Sequence, residues 1–294
     1  MGGASTTRRH SRHVFDYGGH AGQVVHIHQP VADDDAPFPV AVLLHGGWWR
    51  AAHDARLMDP VAAHLADRGW LVWNVEYRRT GGDGGGWPQT LEDVRAALAL
   101  LGARLADGAE PGDPATVVAV GHSAGGHLAL MAAPGSPLTG VVGLAPVTDL
   151  RAAARLRLGE DAVADFLAAD RRSGAADSGT QAAGAGGARP AAGGTGGAEQ
   201  EAAAVEGAAA AAPADLDAAS PLHRLPLGTP QLIVHGAADT RVPVEQSRAY
   251  VEAARAAGDA VDYVEPPDAD HFAVIDPAHP AWKAVRTWLD RTRP

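Results

Sequence analysis

The chain has 294 residues, 46% of them hydrophobic, and a formal net charge of −11, which suits one large α/β domain or two small ones with a buried core. It has no cysteine, which excludes disulfides, zinc–thiolate sites and a cysteine nucleophile. The acidic balance argues against a nucleic-acid partner, because phosphate neutralisation needs clustered cations.

Residues 1–13 are polar and carry Arg8-Arg9 with no apolar run behind them. They read as a disordered tail rather than a secretory segment. No stretch is long and apolar enough for a membrane span, so the expected place is the cytoplasm, with no membrane partner. One domain is expected over residues 14–294. It opens with two strands, 14–17 and 23–28, around the Gly18-Gly19 turn. His26 and His28 share a strand face, but with no third ligand nearby in sequence an exposed face fits better than a metal site. Residues 40–44 form an apolar strand that ends in His45-Gly46-Gly47-Trp48-Trp49-Arg50.

Leu57, Val61 and Leu65 recur every fourth residue and predict a helix over 56–67, closed by Gly69. A strand over 70–77 follows, with Trp70 and Trp73 packed in it, and then the glycine-rich residues 81–86. That loop lacks the Gly-Lys-Ser/Thr ending of a phosphate loop and reads as a connection. Thr90 is placed to cap a helix over 91–105, with Asp93 at the third helical position.

Residues 117–120 are a β-branched strand running into Gly121-His122-Ser123-Ala124-Gly125, after which Ala and Leu recur at helical spacing. This is the strand–turn–helix context that the Gly-x-Ser-x-Gly elbow requires, with a serine hydroxyl exposed at the apex. A strand over 141–144 and helical pieces over 150–158 and 162–169 come next. Residues 173–212 are almost all Ala, Gly and small polar residues, and read as a disordered insertion that buries too little apolar surface to offset its ordering entropy. Beyond it, strands are expected over 231–235 and 261–264 and helices over 244–256 and 282–289. The alternation calls for a mostly parallel central sheet with helices on both faces.

A serine hydroxyl needs a base, and the base an orienting anion. In the elbow architecture they follow in the order Ser, Asp or Glu, His. Asp239 stands in the loop after the 231–235 strand and His271 in the loop after the last strand, where catalytic groups of open α/β sheets gather. Ser123, Asp239 and His271 are therefore the expected catalytic set, with Glu265 as the alternative acid. The backbone N–H of Ala124 and the Gly46-Gly47 loop are the expected oxyanion donors, with His45 bracing that loop. Trp48, Trp49 and His122 are the candidates to contact substrate, although either tryptophan would equally pack on the sheet edge.

Together these residues resemble the α/β-hydrolase superfamily over about residues 24–289, the Ala/Gly-rich stretch excepted. Within it, His45-Gly46-Gly47-Trp48-Trp49 and Gly121-His122-Ser123-Ala124-Gly125-Gly126-His127-Leu128-Ala129 are similar to the kynurenine formamidase (arylformamidase) and related bacterial carboxylesterase group. The chain departs from formamidases at Trp48, where they usually carry Tyr, and at Gly126, where they usually carry Ala. The resemblance implies hydrolysis of a small ester or an N-formyl or aryl amide through an acyl-serine, with no metal and no cofactor. The alternatives are a prolyl-oligopeptidase-like aminoacyl hydrolase, without room for a propeller domain, and a non-catalytic ligand-binding homologue. The oligomeric state is left open, a homodimer included.

Overall fold

The computed structural model describes residues 10–31, 36–177 and 212–293. Their strands are β1 (His10–Asp16), β2 (Val24–Pro30), β3 (Phe38–Leu44), β4 (Leu71–Val75), β5 (Gly112–His122), β6 (Gly140–Leu144), β7 (Gln231–Val234) and β8 (Val261–Val264). They form one sheet in the order β1-β2-β4-β3-β5-β6-β7-β8. β1 and β2 pair antiparallel, as do β2 and β4, and from β4 to β8 every pairing is parallel. Parallel neighbours require crossovers, and the helices supply them: α1 (Asp59–Ala66), α2 (Gln89–Ala106), α3 (Ala124–Ala132), α4 (Leu150–Arg155), α5 (Leu158–Asp177), α6 (Pro213–Ala218), α7 (Glu245–Ala256) and α8 (Trp282–Arg291).

Period-two alternation divides the core. Val40, Val42 and Leu44 of β3, with Val117 and Ala119 of β5, face the layer holding α2, α3 and α7. Ala41 and Leu43, with Val118 and Val120, face the layer of α1 and α8. Each such strand side chain is essentially inaccessible, and burying a valine or leucine among them contributes about 1.5–3 kcal/mol. A one-residue slip would exchange the two faces, so the apolar run also fixes the register. The sheet and its two helical layers are those expected from the sequence, and all the strand ends that carry candidate residues open at one edge.

Four local expectations change. β1 begins at His10, so residues 10–13 belong to the sheet rather than to a tail, their backbone paired in register with residues 27–30 of β2. His28 is buried rather than exposed, stacked on His10 with ring centroids 5.2 Å apart. Burial, with the nearby Arg12, His10 and His26, lowers its pKa to about 4. Thr90 does not cap α2, because the helix starts one residue before it. Its hydroxyl instead accepts from Gly86 N–H at 2.9 Å and donates to the Arg78 carbonyl at 2.7 Å. Asp93 likewise turns to the Arg78 guanidinium, at 2.7 Å.

The expected insertion at 173–212 lies mostly outside the described residues: α5 continues to Asp177, and the description resumes at residue 212. Gly159, Glu160 and Asp161 are left-handed (φ 60°, 56° and 62°), so the right-handed part of α5 starts at Ala162. Among the described residues no helix is long and apolar enough to cross a membrane.

Candidate active site

β5 delivers Ser123 to the edge of the sheet through a turn that only small neighbours permit. Ser123 has φ 55° and ψ −116°, a conformation L-residues rarely hold. Three backbone contacts hold it there. Its N–H donates to Leu144 O at 2.8 Å, and its carbonyl accepts from His127 N–H at 3.0 Å and from Val147 N–H at 3.3 Å. A Cβ at Gly121 would run into the Gly125 carbonyl, and one at Gly125 into the carbonyls of Leu44 and His45. Glycine at 125 thus lets the end of β3 lie directly against the elbow.

That approach brings in the next candidate. A Cβ at Gly46 would come within 3.1 Å of Ser123 Cβ and 2.7 Å of His122 Nδ1, so the Gly46 backbone borders the serine. Ala124 opens α3, where first-turn N–H groups have no intrahelical acceptor and the helix dipole favours negative charge. Gly47 has φ 120°, and the space where its Cβ would stand is filled by His53. Side chains are excluded on both sides of this loop, leaving its amides as the groups able to meet a ligand.

The loops after β7 and β8 meet at the same edge. His271 Nδ1 donates to Asp239 Oδ2 at 2.6 Å, and Asp239 Oδ1 accepts from the N–H groups of Arg241 and Val242 at 2.8 and 2.9 Å. His235 Nε2 stands 3.2 Å from Asp239 Oδ2, a contact that lay unassigned in the sequence. Burial raises the Asp239 pKa, but the bonds from His235, His271 and Val242 outweigh it and hold the carboxyl well below the usual range. The alternative acid, Glu265, is engaged elsewhere. Bonds from Arg248 at 2.5 Å and from the Tyr263 hydroxyl at 2.6 Å hold its pKa near 2.

His122 joins this pair to the serine's own turn. Its Nε2 donates to the His271 carbonyl at 2.9 Å, and the two rings lie 4.6 Å apart. Burial, with the neighbouring His271, lowers the His122 pKa to about 3, so the ring is neutral. His122 is as buried as Ser123 itself, and its bond pins the His271 loop beside the elbow, a positioning role beyond the substrate contact expected from the sequence. Among the described residues His271 Nε2 carries no hydrogen bond to protein. A histidine with one nitrogen on a carboxylate and the other unengaged can take a proton from a hydroxyl and return it to a leaving group.

The tryptophans separate. Trp49 is fully buried, stacked on Phe166 with centroids 4.3 Å apart and edge-on to His127, which removes it from the substrate contacts. Its neighbour Trp48 is half-buried, with its indole against Gly159, where a Cβ would come within 2.5 Å of the ring. Arg50 fastens this side. Its guanidinium donates to the carbonyls of Gly159 and Glu160 at 2.7 and 2.8 Å and to Asp165 Oδ2 at 2.7 Å. Phe272, which follows His271 and is 39% exposed, carries the Arg241 guanidinium over its ring, 5.1 Å from the centroid, and sequence reading passed it over. Its sole signal was adjacency to the histidine.

A cavity of about 900 Å³ opens past Arg50, walled by Arg78, Thr80 and the glycines of residues 81–85. Another, of about 790 Å³, lies between β8 and α8, and neither Ser123 nor His271 lines it. Ser123, Asp239 and His271 are absent from the lining of both. Among the described residues no group of three or more His, Asp or Glu side chains is arranged to hold a metal ion.

Comparison with known proteins gives two partial family matches, the BD-FAE model over residues 25–152 and the prolyl oligopeptidase family model over residues 203–291. Esterase LipC of Mycobacterium tuberculosis is 29% identical over 299 residues, which cover 98% of this chain and 67% of LipC. Esterase B from Lactobacillus rhamnosis superposes with a TM-score of 0.70 at 20% identity, covering 97% of this chain and 85% of that one. A thermophilic esterase from Thermogutta terrifontis gives 0.65 at 21% identity, covering 95% and 90%. At such identities the two structures speak for the fold alone.

Proposed function

The chain is a member of the α/β-hydrolase superfamily, and from that premise we propose that it is a serine hydrolase of carboxylic esters, with Ser123 as nucleophile. Ser123 Oγ attacks the acyl carbon as His271 Nε2 takes its proton. Asp239 holds the ring in the tautomer that leaves Nε2 able to accept it. The proton then passes to the departing alcohol, leaving an acyl-serine that water cleaves by the same relay. The backbone N–H of Ala124 and of the Gly46-Gly47 loop bind the oxyanion.

The observation that carries the reading is the 2.6 Å Asp239–His271 bond in a loop that His122 pins beside Ser123. Ester substrates are favoured because the relatives similar along most of the chain are esterases.

A fluorophosphonate probe should label the wild type on Ser123, and Ser123→Ala should lose both labelling and p-nitrophenyl acetate turnover. Full activity in that variant overturns the assignment. Parallel assays with N-formylkynurenine and an aminoacyl anilide set the class, and esters are expected to be cleaved with the highest kcat/KM. The prolyl oligopeptidase match over residues 203–291 makes the anilide the informative competitor.

A further inference from the structure

A second histidine–carboxylate pair is buried on the opposite side of the elbow. His45 follows β3 and Glu76 follows β4, and these strands are parallel neighbours. His45 Nε2 lies 3.0 Å from Glu76 Oε1, and both side chains are nearly inaccessible. Its other nitrogen, Nδ1, lies 2.7 Å from the Gly46 carbonyl oxygen. The ring stacks face to face on Tyr77, with centroids 4.3 Å apart and planes 2° apart. The Tyr77 hydroxyl donates to the His45 carbonyl at 2.6 Å.

Counting donors decides what this ring is. The Gly46 carbonyl can only accept. Glu76 accepts from Ala55 N–H at 2.8 Å and from Tyr77 N–H at 3.0 Å, the pattern of an ionised carboxylate. Burial pushes the Glu76 pKa up, but the bond and charge of His45, the Ala55 N–H and Arg79 outweigh it and bring it below the ordinary value. Both nitrogens of His45 therefore face acceptors, and a neutral imidazole has only one N–H. Both contacts are satisfied when both nitrogens carry protons, and a cation lying flat on the Tyr77 ring is favoured by the ring's quadrupole.

The planarity of the peptide bond carries this outward. The Gly46 carbonyl and the Gly47 N–H belong to one trans peptide unit and point in opposite directions. A carbonyl held by His45 Nδ1 thus fixes the direction of the Gly47 N–H, and the Gly46 backbone borders Ser123. We propose that Glu76 and a doubly protonated His45 are positioning residues that aim the Gly47 N–H at the oxyanion on Ser123. The inference rests on the reading of Ser123 as nucleophile. It gives the site two such pairs, one that moves a proton and one that holds its protons still.

Two measurements test it. In the wild type, NMR of ring-¹⁵N-labelled histidine should find a directly bonded proton on both ring nitrogens of His45, assigned by loss of the signals in His45→Asn. A proton on only one nitrogen overturns the proposal whatever the variants do. Glu76→Gln keeps the side chain's shape and removes the charge. It should lower kcat for p-nitrophenyl acetate by about 10- to 100-fold, below the 10²–10³ of a lost oxyanion donor, with KM within about twofold and fluorophosphonate labelling of Ser123 slowed in parallel. Unchanged kcat in a Glu76→Gln protein that melts as the wild type also overturns it. If the wild type itself is not labelled on Ser123, the nucleophile assignment fails instead, so the two failures are distinguishable.

Discussion

His271 and His45 are both buried, both bonded to a carboxylate and both beside the elbow, yet they are wired differently. His271 spends one nitrogen on Asp239 and leaves Nε2 without a protein partner among the described residues. His45 has an acceptor at each nitrogen. A proton can be passed only through a nitrogen that is free to exchange it, so the first arrangement suits a shuttle and the second a strut. Nearby His122 and His127 form a third kind. Each donates one N–H to a carbonyl, has no carboxylate partner, and leaves its Nδ1 buried without a hydrogen bond. What separates the three is the partner on the second nitrogen, more than burial or distance from the serine.

The largest expected effect breaks the shuttle. His271→Ala should cost about 10⁶ in kcat, close to the loss in Ser123→Ala, and combining the two should add little, measured by single-turnover acylation. Asp239→Asn leaves the ring in place with the wrong tautomer and should cost about 10⁴. If Asp239→Asn and Glu76→Gln proved equally damaging, the distinction between shuttle and strut would collapse.

The glycine loop has an anchor on its other flank, the Trp49–Phe166 stack. Trp49→Ala should lower stability by about 3–5 kcal/mol in denaturant melts, because it empties a fully buried site between Phe166 and His127.

The smallest effect isolates the unpaired histidines. Burial lowers the His127 pKa to about 4 in the folded chain, from an ordinary 6.5. Between those values the unfolded chain binds a proton that the folded one refuses, so stability is intact above pH 6.5 and falls as pH drops toward 4. The slope is at most about 1.4 kcal/mol per pH unit for one such group. His127→Gln should flatten the Tm–pH curve in that window while its value near pH 7.5 changes little beyond a constant offset. A variant with the wild-type slope would show that His127 is not the group responsible.

Sequence alone carried the sheet, the elbow and the pairing of Asp239 with His271, because each has a local signature. Strand periodicity is written in neighbouring residues, and the glycines at 121 and 125 are demanded by the turn itself. Glu76 had no such mark, being 31 residues from His45 and joined to it only because β3 and β4 lie side by side. Trp49 was left between two readings for a related reason. An aromatic beside a glycine loop looks the same in sequence whether its ring meets a substrate or Phe166, 117 positions later by the numbering. His122 looked like a pocket residue by adjacency, and only the His271 carbonyl, brought round by the last loop, gives its nitrogen an acceptor. The N-terminal residues 10–13 are polar, and their place in β1 is set by β2 rather than by any pattern of their own.

Arg50 has a consequence for anyone recombining this fold. The connection between β6 and β7, residues 145–230, is the longest between two strands of the sheet, and its first part is stitched to the segment after β3 through Gly159, Glu160 and Asp165. A graft with its boundary placed by strand ends alone would import a foreign seat for Trp48 and leave a guanidinium with three of its acceptors gone. Keeping residues 157–165 with the host, and cutting after them, preserves the interface on which a transplanted cap would have to rest.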